Sequence, residues 1–230
     1  MNHAIPLAER LRPQTLNDLV GQEHLSSQES VLQKAISKGK VPSMILWGPP
    51  GVGKTTLANI IATTFHSAYY QLSAISSGVK ELREVIEEAK TKPGAILFID
   101  EIHRFNKGQQ DALLDAVEKG IITLIGATTE NPSFEVNSAL LSRCQVFILK
   151  ALDEKALLQL INQAIEKDEL FKGQNIQIKE TEALFQLSGG DGRKLLNLLE
   201  LSVEALIDIE KSGSLLVLTN EWVMEVAQTN

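Results

Sequence analysis

Eight consecutive residues combine glycines, a lysine and a threonine in a spacing that can bind phosphate. They are Gly48, Pro49, Pro50, Gly51, Val52, Gly53, Lys54 and Thr55, which fit G-x-x-x-x-G-K-T, and Thr56 follows them. Glycines let the backbone curve around an anion, so that successive N–H groups point at it. In this pattern Lys54 reaches the β- and γ-phosphates and the Thr55 hydroxyl binds Mg²⁺. The spacing therefore predicts an ATP and Mg²⁺ site, because a simple Gly/Pro turn rarely shows the whole pattern.

An acidic pair, Asp100 and Glu101, ends the most hydrophobic segment of the chain, residues 95–99. Ligands of parallel sheets bind where the strands end. A carboxylate at this position can hold Mg²⁺, and a second one can orient or deprotonate the attacking water. We assign Asp100 to the metal and Glu101 to the water. The alternative is a pair that only caps a helix, which the phosphate loop upstream disfavours.

Two threonines and two arginines are further candidates. Thr128 and Thr129 follow another apolar segment and could reach the γ-phosphate or the water, although the residues alone favour ordinary turn hydroxyls. Arg143 could offer its bidentate fork to a neighbouring subunit's nucleotide, or form a surface salt bridge. Arg193 begins a helix and could report the nucleotide state through lid closure, or be an ordinary exposed arginine. Cys144 shows no activating partner, and the four histidines lack metal-ligand spacing.

Composition limits the classes of function. The chain has 230 residues, 43% of them hydrophobic, with a net charge of −7. This excludes a strongly basic protein that coats nucleic acid, but not a local basic channel. A single cysteine permits no intrachain disulfide and fits a reducing compartment. There is no signal-peptide region and no run of membrane-spanning length, so we expect a soluble cytoplasmic protein with no membrane partner.

Buried strands and helices alternate through the first 150 residues. Strands are predicted at 44–47, 69–72, 95–99, 121–125 and 146–149, and helices at 30–38, 56–65, 79–90 and 106–119. This alternation predicts a parallel α/β sheet with helices on both faces. Residues 69–72 lie between the two nucleotide motifs in sequence. An inserted strand between the loop strand and the acidic strand is typical of hydrolases that activate water with a local glutamate, and not of nucleotide kinases.

The pattern after residue 150 is mainly helical. Helices are predicted at 154–167, 179–187, 193–209 and 220–228, with Asp153, Asp191 and Thr219 as caps. The predicted fold is thus an α/β parallel-sheet P-loop NTPase domain with an N-terminal arm, residues 1–150, followed by a small all-α lid domain, residues 151–230.

Five segments in one order resemble the AAA+ ATPases, close to the clamp-loader branch. They are the loop at 48–56, DEIHRF at 100–105, GATTENPSF at 126–134, LLSRC at 140–144 and GGDGRKLLN at 189–197. The opening PLAERLRPQTLNDLVGQEHL and the ATTENPSFEVNSALLSRC segment are most similar to the replication-associated recombination protein A family, also called MgsA or the Werner-helicase-interacting ATPase family. The resemblance covers nearly the whole chain, and the combination is very specific.

The resemblance implies roles for several residues. Thr129 would be the sensor-1 residue, Arg143 the arginine finger acting on a neighbouring subunit, and Arg193 the sensor-2 arginine. The arm that wraps the adenine and ribose would contain Arg10, Arg12, Pro13, Val20 and Gly21.

The resemblance also implies an activity and partners. The family acts at stalled or damaged replication forks as a DNA-stimulated ATPase, associates with single-stranded-DNA-binding protein, and forms homotetramers in the cytoplasm at the nucleoid. Its members continue beyond the lid into a region that drives tetramer formation, whereas this sequence ends at Asn230. We therefore expect an AAA+ core fragment that is largely monomeric, binds ATP and hydrolyses it slowly, because Arg143 lacks a stable neighbour.

Two other functions stay open at this point. One is a Holliday-junction branch-migration motor of the RuvB type, whose GATT segment is similar but which carries a winged-helix domain after its lid. The other is a clamp-loader subunit that binds ATP as a scaffold and barely hydrolyses it, which intact Lys54, Asp100, Glu101 and Arg143 disfavour. Lys80 and Arg83, one helical turn apart, could contact DNA phosphates, but a solvated helix face is the commoner reason for such charges.

Overall fold

The computed structural model describes residues 5–209 and 213–229. The chain forms two compact units. The larger is Pro13–Lys150, and the second combines the described residues up to Arg12 with those from Ala151 onward. The sequence predicts a boundary at the same point but assigns residues 1–12 to the larger domain. Within the second unit, α1 (Leu7–Arg10) buries Leu7 completely, which explains why this segment groups with later residues.

The larger unit is built on a five-stranded parallel sheet. Its strands are β1 (Met44–Trp47), β2 (Tyr69–Ser73), β3 (Ile96–Asp100), β4 (Thr123–Thr128) and β5 (Gln145–Ile148). Their order is β2-β3-β4-β1-β5, and every neighbouring pair is parallel, which confirms the predicted sheet. The strand that separates β1 from β3 is β4. The predicted strand at 69–72 exists, but it lies at the edge beside β3.

Helices cover both faces of this sheet. They are α2 (Glu23–Ser26), α3 (Val31–Ser37), α4 (Lys54–Thr64), α5 (Val79–Ala89), α6 (Lys107–Glu118), α7 (Pro132–Glu135) and α8 (Ser138–Leu141). Side chains alternate along a strand, so Leu46 packs with α4 in one core while Ile45 joins the core that includes Leu82 of α5 and Leu113 of α6. Burial on both faces is why β1 and β3 are unbroken apolar runs.

Among its described residues, the second unit contains four helices besides α1 and a small sheet. The elements are α9 (Glu154–Lys167), β6 (Asn175–Ile178), α10 (Glu182–Ser188), α11 (Gly192–Ile209), β7 (Leu215–Leu218) and α12 (Asn220–Thr229). The sequence predicts an all-α lid, which needs a correction because β6 and β7 pair as a two-stranded parallel sheet. Each strand has four residues, and α10 and α11 separate them along the chain. The hairpin signal that would have revealed a local pair is therefore absent from the sequence.

Polar side chains cap several helix starts, and those of Asp153 and Thr219 confirm predicted caps. The Asp153 carboxylate accepts a hydrogen bond from the Ala156 amide at 2.8 Å, and Asn106 accepts one from Gln109 at 3.0 Å. Thr219 accepts one from Trp222 at 3.2 Å. These contacts satisfy amides that the first helical turn leaves unpaired.

Among the described residues, no helix has the length and apolar character needed to cross a membrane.

Candidate nucleotide-binding site

The phosphate loop joins β1 to α4, and two of its glycines adopt backbone angles that other residues avoid. Gly51 has φ of 68° and Gly53 has φ of 100°, both in the left-handed region. Gly48 is required for a different reason, because a Cβ at this position would lie 2.3 Å from the Leu149 carbonyl oxygen. The glycines therefore let the loop curve tightly and pack directly against the chain that follows β5.

Lys54 begins α4 and lies against the loop. Its Nζ donates hydrogen bonds to the carbonyl oxygens of Gly48, at 2.7 Å, and Pro49, at 2.8 Å, and the residue is only 7% exposed. A buried ammonium needs such partners. The cation is thus held within the loop, at the N-terminal end of an 11-residue helix whose dipole also favours anions.

The sheet brings the loop and the acidic pair to the same edge. The Gly48 amide donates to the carbonyl oxygen of Thr128, the last residue of β4, at 3.2 Å. On the other side of β4 lies β3, which ends at the half-buried Asp100. Residues 48, 100 and 128 therefore follow or end three adjacent parallel strands, at the carboxyl edge where α/β proteins bind ligands.

Glu101 has an unusual backbone and a supported side chain. Its φ of 53° and ψ of 46° place it in the left-handed region, which is costly for a residue with a Cβ. The Glu101 Oε2 accepts a hydrogen bond from the Thr129 hydroxyl at 3.3 Å, and His103 Nδ1 also lies 3.3 Å from it. The structure thus brings together Glu101 and Thr129, which the sequence assigned to one reaction.

Thr128 differs from its neighbour. It is fully buried, and its hydroxyl accepts a hydrogen bond from the Glu130 amide at 3.0 Å and lies 2.9 Å from His103 Nδ1. Of the two threonines, only Thr129 contacts Glu101 directly. The ordinary turn interpretation, in which the hydroxyl bonds the local backbone, describes Thr128.

Arg143 lies on the surface at the end of α8. Its side chain is 42% exposed and forms an ion pair with Glu118, while Nη1 donates to the Ala139 carbonyl and the Ser142 hydroxyl, both at 3.0 Å. Exposed ion pairs contribute less than about 1 kcal/mol. The guanidinium therefore has partners within its own chain, but they hold it weakly.

The residues of the predicted adenine-binding arm fall in both units. Pro13, Val20 and Gly21 belong to the larger unit, where Val20 is buried and Gly21 has φ of 76°. Arg10 and Arg12 belong to the second unit, and so does Arg193, which is exposed in the first turn of α11. Their roles toward a nucleotide stay predictions.

Arg10 forms a largely buried ion network that the sequence did not reveal. Its guanidinium donates two hydrogen bonds to Asp168, at 2.7 and 3.1 Å, and one to Glu200 at 2.6 Å. The hydrogen bond with Asp168 is the main reason that the pKa of Arg10 is raised. Glu200 also accepts the Leu7 amide at 2.8 Å, so the network fixes α1 within the second unit.

Arg10→Ala is expected to lower the free energy of unfolding by about 3 kcal/mol, since it leaves the Asp168 carboxylate, 3% exposed, without its cation. Lys172→Ala is the control, because Lys172 and its partner Glu169 are both exposed and the loss should stay below about 1 kcal/mol. Chemical denaturation of both variants measures the difference. Equal losses would show that the Arg10 network contributes no special stability.

Gln22 is a second residue whose role its sequence context does not reveal. It is fully buried, and its side-chain amide meets both backbone groups of Lys150: Nε2 donates to the carbonyl at 2.8 Å, and Oε1 accepts the amide at 3.0 Å. Nε2 also lies 3.5 Å from the carbonyl of Val52 in the phosphate loop. One side chain thus ties the loop to the residue that closes the larger unit.

Gln22→Leu is expected to destabilise the protein by about 1–3 kcal/mol, because it removes both hydrogen bonds that the buried Gln22 side chain makes with the Lys150 backbone. Gln71→Leu provides a control at an exposed position on β2. Thermal denaturation of the two variants tests this expectation. If both variants melted at the wild-type temperature, the hydrogen bonds of Gln22 would not contribute to the stability of the protein.

Cys144 is half-buried, and burial raises the pKa of its thiol to about 11. A raised pKa means that the reactive thiolate forms only at higher pH. At about pH 8 we expect iodoacetamide to modify native Cys144 on the order of 100-fold more slowly than the denatured chain, whose thiol has an ordinary pKa near 8.5. The native rate should still rise between about pH 8 and pH 10. Equal rates in the native and denatured proteins would show that burial in the folded protein does not lower the reactivity of the Cys144 thiol.

Comparisons with known proteins agree with this geometry. The model of AAA, the ATPase family associated with various cellular activities, matches residues 44–152. Replication-associated recombination protein A of Escherichia coli K12 is 48% identical over 229 residues, which cover 96% of this chain and 51% of that protein. ATPase WRNIP1 of Dictyostelium discoideum is 46% identical over 87% of this chain and 24% of its own. The solved structure of the Thermotoga maritima RuvB Holliday junction branch migration motor is 29% identical, with a TM-score of 0.76 over 95% of this chain and 72% of that one.

A parallel sheet with a phosphate loop after β1 and an acidic pair at the end of β3 defines a P-loop NTPase of the AAA+ class. Within that class, the chain belongs to the family of replication-associated recombination protein A and ATPase WRNIP1, as its motifs predict. It spans about half the length of the curated bacterial relatives that it matches.

Proposed function

We propose that this chain binds ATP with Mg²⁺ and hydrolyses it, and that DNA stimulates the hydrolysis and couples it to remodelling at stalled or damaged replication forks. The observation that carries the ATPase part is the placement of Glu101. Its carboxylate lies at the end of β3, held by Thr129 at the end of β4, and the phosphate loop begins beside that same strand. This is the arrangement expected when one residue must activate water beside a bound phosphate.

The phosphate-binding part of the proposal rests on the loop and α4. Lys54 binds the β- and γ-phosphates, and the curved backbone of residues 48–53, with Thr55 and Thr56 after it, provides amides for the remaining oxygens. The Thr55 hydroxyl and the Asp100 carboxylate are oxygen ligands, which Mg²⁺ prefers, so the residues present fit this ion. The chemistry that Mg²⁺ supplies at these oxygens is neutralisation of charge on the phosphates.

Glu101 and Thr129 carry the reaction in this proposal. The carboxylate of Glu101 orients the attacking water and accepts its proton as the water oxygen approaches the γ-phosphorus. Thr129 holds one carboxylate oxygen through its hydroxyl, so the base is positioned before ATP binds. A positioned base of this kind typically raises the rate by about 10²–10⁴-fold, which corresponds to an activation free energy lower by about 3–5 kcal/mol.

Arg143 is proposed to act on the nucleotide of a neighbouring copy, and Arg193 to sense the nucleotide within its own chain. The role of Arg143 is supported by its exposure and by the weak ion pair that holds its guanidinium. We propose that the full-length relatives form stable homotetramers, in which Arg143 of one copy reaches the nucleotide of the next. This chain alone is then largely monomeric and turns ATP over slowly. Sedimentation that showed a tight tetramer would contradict this part of the proposal.

DNA and single-stranded-DNA-binding protein are the proposed partners, in the cytoplasm at the nucleoid. The support is the kinship with proteins named for replication-associated recombination. Lys80 and Arg83 are exposed on α5, where Lys80 forms a loose ion pair with Glu84 at 3.8 Å. A surface pair this exposed costs little to break, so both cations are available to DNA phosphates.

ATP turnover with and without DNA tests the proposal. We expect a low basal rate that forked DNA raises more than linear duplex or a four-way junction does. Preference for the four-way junction would favour a RuvB-like motor, the second function that the structural similarity supports. ATP binding with no turnover under any condition would favour a nucleotide-dependent scaffold. Lys54→Ala in the same assay serves as the background.

A further inference from the structure

His103 lies beside the proposed base without a role in the mechanism described so far. It occupies the short 3-10 turn Ile102–Arg104 that follows Glu101, and its side chain is 7% exposed. Its Nδ1 lies 3.3 Å from Glu101 Oε2 and 2.9 Å from the Thr128 hydroxyl oxygen. A buried imidazole nitrogen therefore faces two oxygens, one of which belongs to a carboxylate.

The hydrogen-bond partners of Thr128 decide which nitrogen of His103 carries the proton. The Thr128 oxygen accepts the Glu130 amide at 3.0 Å and lies 3.2 Å from the Glu130 carbonyl. A hydroxyl has one proton to donate and two lone pairs. If Thr128 donates to the Glu130 carbonyl, its oxygen can accept both the Glu130 amide and an N–H from His103, so all four of these groups are paired.

The opposite tautomer fits poorly. If Nδ1 had no proton, its lone pair would face the Glu101 carboxylate oxygen at 3.3 Å, and two acceptors would be opposed at a buried position. With the proton on Nδ1, the N–H donates to the Thr128 oxygen at 2.9 Å, and it also presents a positive dipole to Glu101 Oε2, which lies 3.3 Å from Nδ1 and accepts the Thr129 hydroxyl. The carboxylate is then held from two directions, although its own backbone is in a strained left-handed conformation.

We propose that His103 is a positioning residue for ATP hydrolysis: its Nδ1–H, fixed in place by Thr128, holds the Glu101 carboxylate in the orientation that activates water. The effect on turnover rests on the proposed function, whereas the tautomer does not. His103 is not part of the phosphate loop, so its loss should reduce kcat and leave ATP affinity unchanged. Misplacement of a catalytic group by about 1 Å can cost on the order of 100-fold.

The tautomer can be measured on the intact protein without nucleotide. The chain has four histidines, His3, His24, His66 and His103. Long-range ¹H–¹⁵N correlation spectra at about pH 8 distinguish the two neutral tautomers, and the His103→Asn variant identifies the His103 signal by its loss. We expect the proton on Nδ1. A proton on Nε2 would overturn the inference whatever the protein does with ATP.

The kinetic test compares two amide variants. Asparagine places its N–H close to the position of Nδ1, while glutamine places its N–H closer to that of Nε2. We therefore expect His103→Asn to keep most of the wild-type turnover and His103→Gln to lose about 10–100-fold, with ATP affinity within about twofold of wild type in both. Equal turnover in the two variants, or a matching loss of ATP affinity, would overturn the inference.

The proposed function and this inference fail in different ways. If the wild-type protein hydrolyses no ATP above the Lys54→Ala background, the proposed function fails, while the spectra still report the His103 tautomer. If the wild type hydrolyses ATP and the His103→Gln variant does so equally well, the positioning role fails alone. Thr128→Val adds an independent check, since removal of the hydroxyl that fixes His103 should also lower turnover with unchanged affinity.

Discussion

Lys54→Ala is expected to weaken ATP binding by on the order of 100-fold, so that titration calorimetry detects little binding at micromolar ATP. The ammonium is buried in the phosphate loop and bonded to the Gly48 and Pro49 carbonyls, which places its charge at the predicted phosphate site. A hydrogen bond between charged groups contributes about 1.5–3 kcal/mol, which corresponds to roughly 10–150-fold in affinity. The loss should therefore be large even though no other ligand contact changes.

The control for this experiment is Lys38→Ala, which removes an exposed lysine from the larger unit and should leave ATP affinity unchanged. Circular dichroism must show that the Lys54→Ala protein remains folded, because Lys54 also stabilises the loop. Wild-type affinity in a folded Lys54→Ala variant would mean that ATP does not bind at this loop.

Glu101→Gln is expected to reduce ATP turnover by at least about 100-fold while ATP still binds. Glutamine has the same shape and its carbonyl can accept the Thr129 hydroxyl, so the left-handed turn and the side-chain position should persist. The amide cannot accept a proton from water, which removes the general base and its 10²–10⁴-fold contribution, about 3–5 kcal/mol. Phosphate release and calorimetric titration measure the two quantities separately.

Glu81→Gln, an exposed carboxylate in the first turn of α5, is the matched control and should turn ATP over at the wild-type rate. Normal turnover by Glu101→Gln would show that another group activates the water. A parallel loss of ATP affinity would show instead that Glu101 supports the nucleotide site as a whole.

The sequence predicted the parts of the site that lie in consecutive residues. The phosphate loop, the acidic pair and the five strands are local patterns, and the strands are unbroken apolar runs because the sheet is covered on both faces. Thr129 could be paired with Glu101 through the resemblance alone, since the residues themselves fit an ordinary turn equally well. The local pattern did not predict the order of the strands in the sheet. The strand between β1 and β3 is β4, and not β2.

The contacts that the sequence did not predict join residues far apart along the chain. Gln22 meets Lys150 across 128 residues, and Arg10 meets Asp168 across 158. His103 and Thr128 meet across 25 residues, because β3 and β4 end near the same sheet edge. Gln and Arg are usually exposed, so a local pattern gives no reason to expect them buried. β6 and β7 are short and distant partners, and their pairing likewise depends on the folded chain.

If the phosphate loop and Glu101 form one ATP-hydrolysing site, the nucleotide recovered from the protein after incubation with ATP and Mg²⁺ must depend on both. We expect ADP from the wild type, intact ATP from Glu101→Gln, and almost no nucleotide from Lys54→Ala. Recovery of ADP from Glu101→Gln at the wild-type rate would contradict this expectation.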